Sequence, residues 1–115
     1  MKIEEHEING AKLAEIVSDD IVIKTADDGL DLIGNMYYQG FDKIILQEKH
    51  IVPEFFDLKN GMAGEILQKF SNYRIQVAIV GDFEKYTSKS LQDFIRESNK
   101  GKLVNFVASA TSALS

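Results

Sequence analysis

The sequence predicts an α/β domain: a mostly parallel, single-layer sheet with an N-terminal antiparallel hairpin and helices packed on it. Three observations carry that reading. Short apolar runs, "DKIILQ", "RIQVAIVG" and "KLVNFVA", are separated by segments of helical periodicity, the alternation expected of strands buried on both faces and joined by crossover helices. Asn9-Gly10 lies between two alternating segments and is a hairpin turn signal. The length of 115 residues fits one domain, residues 1–115, and leaves no room for two independent cores.

Taken in order, "MKIEEHEI" alternates as an edge strand does, and "AKLAEIV" is its hairpin partner. Ile21, Val22 and Ile23 form either a third short strand or an extended lead into a helix. Thr25 followed by Asp28 has the form of a capping box; Leu30, Ile33 and Tyr37 then share one helical face, and Gly40 stops the helix. "DKIILQ" is a buried strand. The loop after it, "EKHIVPEFFDLKNG", contains the only proline, one of two histidines and an adjacent phenylalanine pair. A helix through Leu58, Met62, Ile66 and Phe70 follows, then the strand "RIQVAIVG". "TSKSLQDFIRESNKG" reads as a helix with Leu91, Phe94, Ile95 and Ser98 inward and Gly101 past its end. "KLVNFVA" is the final strand, and Val107, Ala110 and Leu114 mark a last helical stripe. In such sheets ligands lie beyond the carboxyl ends of the strands, near a switch in strand order. The loop after "DKIILQ" leaves from one such end.

Composition narrows the function classes. There are 13 basic and 18 acidic residues, a net charge of −5, and no block of Lys and Arg able to displace counterions from nucleic acid or an anionic membrane. Cysteine is absent, which removes disulfides, thiolate metal sites and cysteine nucleophiles. The acidic opening "MKIEEHEING" makes no signal peptide, and no apolar run reaches the ~20 residues of a membrane span. A soluble, cytoplasmic protein is expected.

Catalytic motifs are missing. No G-x-S-x-G elbow, P-loop or G-x-G-x-x-G occurs. Asp19, Asp20, Asp27, Asp28 and Asp31 suit a turn and a helix first turn better than a magnesium site. Glu48, His50, Glu54 and Asp57 fall within ten residues and offer acid–base or metal-ligating groups. Their spacing matches no metal signature, however, and a solvated polar loop accounts for the same residues. No cofactor is expected. Phe55 and Phe56 point to opposite faces if the backbone is extended, one ring closing the core under the loop and the other facing outward as a contact anchor; a purely structural role for the pair is the other reading. Gly61 and Gly64 tax the helix, which close approach to the sheet or to a partner would explain. Phe55, Phe56, Tyr37 and Tyr86 are candidate walls of a small-molecule pocket at the sheet's carboxyl edge.

The order strand, loop, "FFDLKNGMAGEILQKF", "YRIQVAIVG", helix, "LVNFVASATSAL" resembles the STAS domain, the fold of bacterial anti-sigma-factor antagonists. It is similar also to a small, functionally uncharacterised group of bacterial STAS-like domains. In STAS domains a strand leads into a D-S-[ST]-G-L loop that starts a helix. Asp57 matches the acid and Gly61 the glycine, with one extra residue between them. Asn60 stands in the place of the phosphorylated hydroxyl, so the kinase-driven switch has no acceptor there. The resemblance implies a non-enzymatic regulatory domain that docks on a protein partner through residues 48–65. Its surface would comprise Phe55, Phe56, Asp57, Lys59, Asn60, Gly61 and Glu65. The edge strand of the hairpin also permits a homodimer.

Overall fold

The computed structural model describes residues 1–114. Strands β1 (Lys2–Ile8) and β2 (Ala11–Val17) form the expected hairpin across Asn9 and Gly10. Both turn residues have positive φ, 53° and 81°, as a type I′ turn demands. There follow α1 (Ala26–Tyr38), β3 (Lys43–Gln47), α2 (Met62–Tyr73), β4 (Gln76–Val80), α3 (Lys89–Lys100), β5 (Val104–Val107) and α4 (Ala110–Leu114). Three short 3-10 turns, Glu48–His50, Pro53–Phe56 and Leu58–Asn60, fill the connection from β3 to α2.

The five strands lie in sequence order, β1-β2-β3-β4-β5. β1 and β2 are antiparallel, and every later pair is parallel. Alternate strand residues, among them Ile16, Ile44, Leu46, Val77, Ile79 and Phe106, enter one core with Ile33 and Met36 of α1, Ile66 and Phe70 of α2, and Leu91 and Ile95 of α3. All three crossover helices therefore lie on one face, as right-handed crossovers between successive neighbours require. The other face presents Leu13, Ile45, Ala78 and Val80, which α4 covers with Ala113 and Leu114. Because strand order never reverses, the sheet has no switch point to mark a ligand site.

Local chemistry sets the element ends. Thr25 Oγ1 accepts the Asp28 N–H (3.2 Å), while the Asp28 carboxylate accepts the N–H groups of Thr25 and Lys24. The capping box starts α1 as expected. Its inward face differs by one position: Gly29, Leu32, Ile33 and Met36 are buried, and Tyr37 is 54% exposed. The cause is contact with α2. A Cβ added at Gly29 would lie 3.3 Å from Ile66, so α1 turns its smallest residue toward α2.

Ile21 to Ile23 are not a strand; only Ile23 pairs, by an isolated parallel bridge to Ile51. Leu58 precedes α2 rather than joining it, because the side chains of Asp57 and Asn60 hold that backbone in a tighter turn. Val107 belongs to β5, so the C-terminal stripe shortens to the residues of α4.

Candidate functional site

The carboxyl edge of the sheet is built from the loops after β2, β3 and β4. His50 ties the first two together and is 1% exposed. Its Nδ1 accepts the Gln47 N–H at 3.0 Å, which fixes the proton on Nε2. Nε2–H then donates to the Ser18 carbonyl, also at 3.0 Å. The His50 carbonyl accepts the N–H groups of Val22 (2.7 Å) and Ile23 (2.9 Å). Burial pushes the imidazole below its usual pKa, opposed by the Ser18 hydrogen bond and reinforced by the neighbouring Lys49 charge.

With both ring nitrogens committed to backbone, His50 has no lone pair or proton left for acid–base or metal chemistry. The expected set of Glu48, His50 and Glu54 does not form, since Glu54 faces solvent and Glu48 turns toward the β4 loop. Among the described residues, Glu4, His6 and Glu15 are the group that brings three ligating atoms within 4.8 Å of one another. They lie on the hairpin, where His6 and Glu15 already form a pair at 2.8 Å.

Phe55 and Phe56 are both buried, at 2% and 7% exposure. Neither is a contact anchor, which corrects the sequence-based surface. The extended backbone on which the outward ring depended is absent. Residues 53–56 form a 3-10 turn, in which successive side chains are about 120° apart and two neighbours can share an inward sector. The two rings meet edge to face at 5.0 Å. Phe56 also stacks on Tyr86 at 5.1 Å and approaches Phe83 at 6.0 Å, and Phe83 meets Phe106 edge to face at 5.2 Å. The aromatic pair is the foundation of this edge.

Above that foundation sits a polar cluster that the sequence reading missed. Glu48 accepts from Lys85 Nζ at 2.9 Å and from the Tyr86 hydroxyl. Burial, the hydrogen bond to Glu48 and the Glu48 charge together raise the Tyr86 pKa well above its usual value. Its hydroxyl is therefore a neutral donor, not a base. Gly81 makes room for the cluster, since a Cβ there would lie 2.8 Å from both Glu48 Cβ and Oε1. Glu48, Phe56, Lys85 and Tyr86 line a cleft of about 330 Å³. Of the four rings expected around a pocket, Phe56 and Tyr86 line it. Phe55 is buried beneath, and Tyr37 instead packs against Tyr73 on the helix layer.

The corner before α2 does face solvent: Glu54, Asp57, Lys59, Asn60, Gly61 and Glu65 are exposed. Asn60 braces it, donating from Nδ2 to the Glu54 carbonyl (2.7 Å) and accepting the Met62 N–H at Oδ1 (2.9 Å). Asp57 accepts the Lys59 N–H at 3.3 Å. Gly61 supplies the left-handed step between the turn and α2, with φ 78°. Close approach to the sheet does not explain either helix-start glycine, because a Cβ at Gly61 or Gly64 would meet nothing within 4 Å.

Two measurements check this account. Phe56→Ala is expected to cost about 3–5 kcal/mol in urea unfolding, the loss for a core ring, whereas an exposed anchor would cost under about 0.5 kcal/mol. The folded His50 holds its proton less tightly than the unfolded chain does, so its contribution is present above the unfolded pKa and lost as pH falls toward the folded one. Stability should decline as pH drops through about 6.5. His50→Gln should flatten that part of the profile; an unchanged slope would contradict the buried imidazole.

No helix among the described residues is long and apolar enough to cross a membrane. No curated protein and no solved structure matches the chain. A family model does match it, over residues 8–115, from the hairpin turn onward. By that match the chain belongs to the family described as a domain of unknown function (DUF4180).

Proposed function

We propose that this is a cytoplasmic, non-enzymatic regulatory domain of STAS-like type that binds a protein partner through its exposed corner at residues 54–65. The contact surface comprises Glu54, Asp57, Lys59, Asn60, Gly61 and Glu65, without the phenylalanine anchors. The single observation that carries the reading is the corner's bracing: exposed side chains on a backbone tied down by Asn60 and set on the Phe55–Phe56 pair. A surface ordered in advance has less conformational entropy to lose on binding.

Three carboxylates against one ammonium favour a basic patch on the partner. Asn60, spent as a brace, leaves no phosphoacceptor at that place. Acid–base work by His50 has no support, because both ring nitrogens are engaged with backbone. The net charge of −5 disfavours nucleic acid. The β1 edge carries Glu4, Glu5 and Glu7, charges that blunt pairing between two copies, so the partner proposed is a different protein.

Reversing two charges tests the docking surface. The side chains of Glu54 and Glu65 are exposed, so the double variant Glu54→Arg/Glu65→Arg should fold, with a helix-dipole cost of about 0.5 kcal/mol from residue 65. A partner purified with the native domain should bind that variant at least about tenfold more weakly, a loss of ~1.4 kcal/mol. It should still bind Lys102→Glu normally. Equal binding to the double variant, or no specific partner at all, would contradict the reading.

The cleft beside Glu48 supports a second reading, in which the same edge holds a small polar molecule between Lys85 and the Phe56–Tyr86 stack. A metabolite that raises the melting temperature of the wild type but not of Lys85→Met would favour it. Equal shifts in both proteins would remove the cleft from consideration.

A further inference from the structure

A second cleft, also of about 330 Å³, opens at the opposite end of the sheet, on the face that α4 covers. It is independent of the docking corner. Its apolar wall consists of Ile8 and Ala11 beside the hairpin turn, Leu13 of β2 and Leu114 of α4. Its polar side consists of Asn9, Asp42, Lys43, Arg74 and Gln76. Sheet register puts Lys43 there: it pairs with Leu13 on one side and Gln76 on the other. Its neighbour Ile44 enters the helix-side core, so Lys43 must point the other way.

The two cations at this cleft are not ion-paired, although one carboxylate, that of Asp42, shares its lining. Among the described residues, the side chains of Lys43 and Arg74 make no hydrogen bond and no ion pair. The one acid beside them, Asp42, gives its carboxylate to the Lys12 N–H at 2.9 Å. Lys43 is half-buried, and desolvation lowers its pKa, a cost that an external anion would offset. Arg74 holds a left-handed backbone with φ 59°, where glycine would sit without strain.

We propose that this cleft binds a small organic carboxylate bearing an apolar tail or ring. Arg74 and Lys43 take the carboxylate, the guanidinium fork matching its two oxygens. The amides of Asn9 and Gln76 supply neutral donors at the rim. The tail lies against Ile8, Leu13 and Leu114. Mixed walls and a few convergent polar groups are the usual make-up of a small-ligand site, and the volume falls at the small end of such sites.

The test is an NMR titration of the full, isotope-labelled chain with three probes: hexanoate, 1-hexanol and inorganic phosphate. Hexanoate is expected to give saturable amide shifts at Asn9, Lys43, Arg74 and Gln76, and the other two probes at least about tenfold weaker binding. Lys43→Met and Arg74→Gly should each weaken hexanoate about tenfold. Arg74→Gly should do so while its melting temperature holds or rises, because the left-handed strain is relieved, which separates lost binding from lost folding. Absence of saturable shifts, or undiminished binding by both variants, would overturn the proposal. Equal binding of phosphate would reduce the site to a bare anion patch, and equal binding of hexanol would reduce it to an apolar one; either outcome contradicts an amphiphilic carboxylate site.

Discussion

The imidazole of His50 joins two stretches of backbone that have no regular ladder between them. One runs out of β2 through Ser18 to Ile23, and the other out of β3 through Gln47 to Val52. The ring spans from the Gln47 N–H to the Ser18 carbonyl, while the His50 carbonyl accepts from Val22 and Ile23. The Val52 N–H donates to the Ile23 carbonyl at 2.9 Å, and the Ile23–Ile51 bridge continues the seam. Leaving such buried groups unsatisfied costs on the order of 1–3 kcal/mol each. The seam fixes where the chain enters the Pro53–Phe56 turn, and hence where the two phenylalanines fall.

From that fixed entry the rest of the carboxyl edge follows. Phe55 and Phe56 drop into the core, Phe56 meets Tyr86, and the Tyr86 hydroxyl reaches Glu48 at the start of the same connection. The edge is thus closed from two sides, by backbone hydrogen bonds through His50 and by an aromatic stack crossing to the β4 loop. The exposed corner inherits its order from that closure. At the amino end of the sheet nothing comparable happens. All three crossover helices cover the other face, α4 is five residues long, and the side chains of two cations remain without an ion-pair partner among the described residues.

Much of the fold was legible because its signals are local. Asn9-Gly10 specified the hairpin, the Thr25–Asp28 pair specified the start of α1, and the unbroken apolar runs specified β3, β4 and β5. The face of α1 was misplaced by one position, because Gly29 carries no apolar signal although it is the contact with α2. The site was less legible. Alternation assigned one phenylalanine to solvent, a rule that holds for extended chain and fails in a 3-10 turn. Glu48 and Tyr86 are 38 residues apart in sequence, and no periodicity relates them. The isolated Gly81 after a strand was the one local trace of that cluster, since glycine there marks a close approach. Nothing local in the sequence marks Lys43; only the register places it in the cleft at the amino end of the sheet.

The claim on which this account rests is that the carboxyl edge is pre-formed around a neutral, doubly bonded imidazole. Long-range nitrogen–proton correlation of the ring tests it most directly, since the two tautomers give distinct nitrogen shifts. The account predicts a single tautomer for His50, protonated at Nε2, whose ring proton is visible and exchanges slowly with water. A ring averaging between tautomers, with a proton lost to rapid exchange, would contradict it.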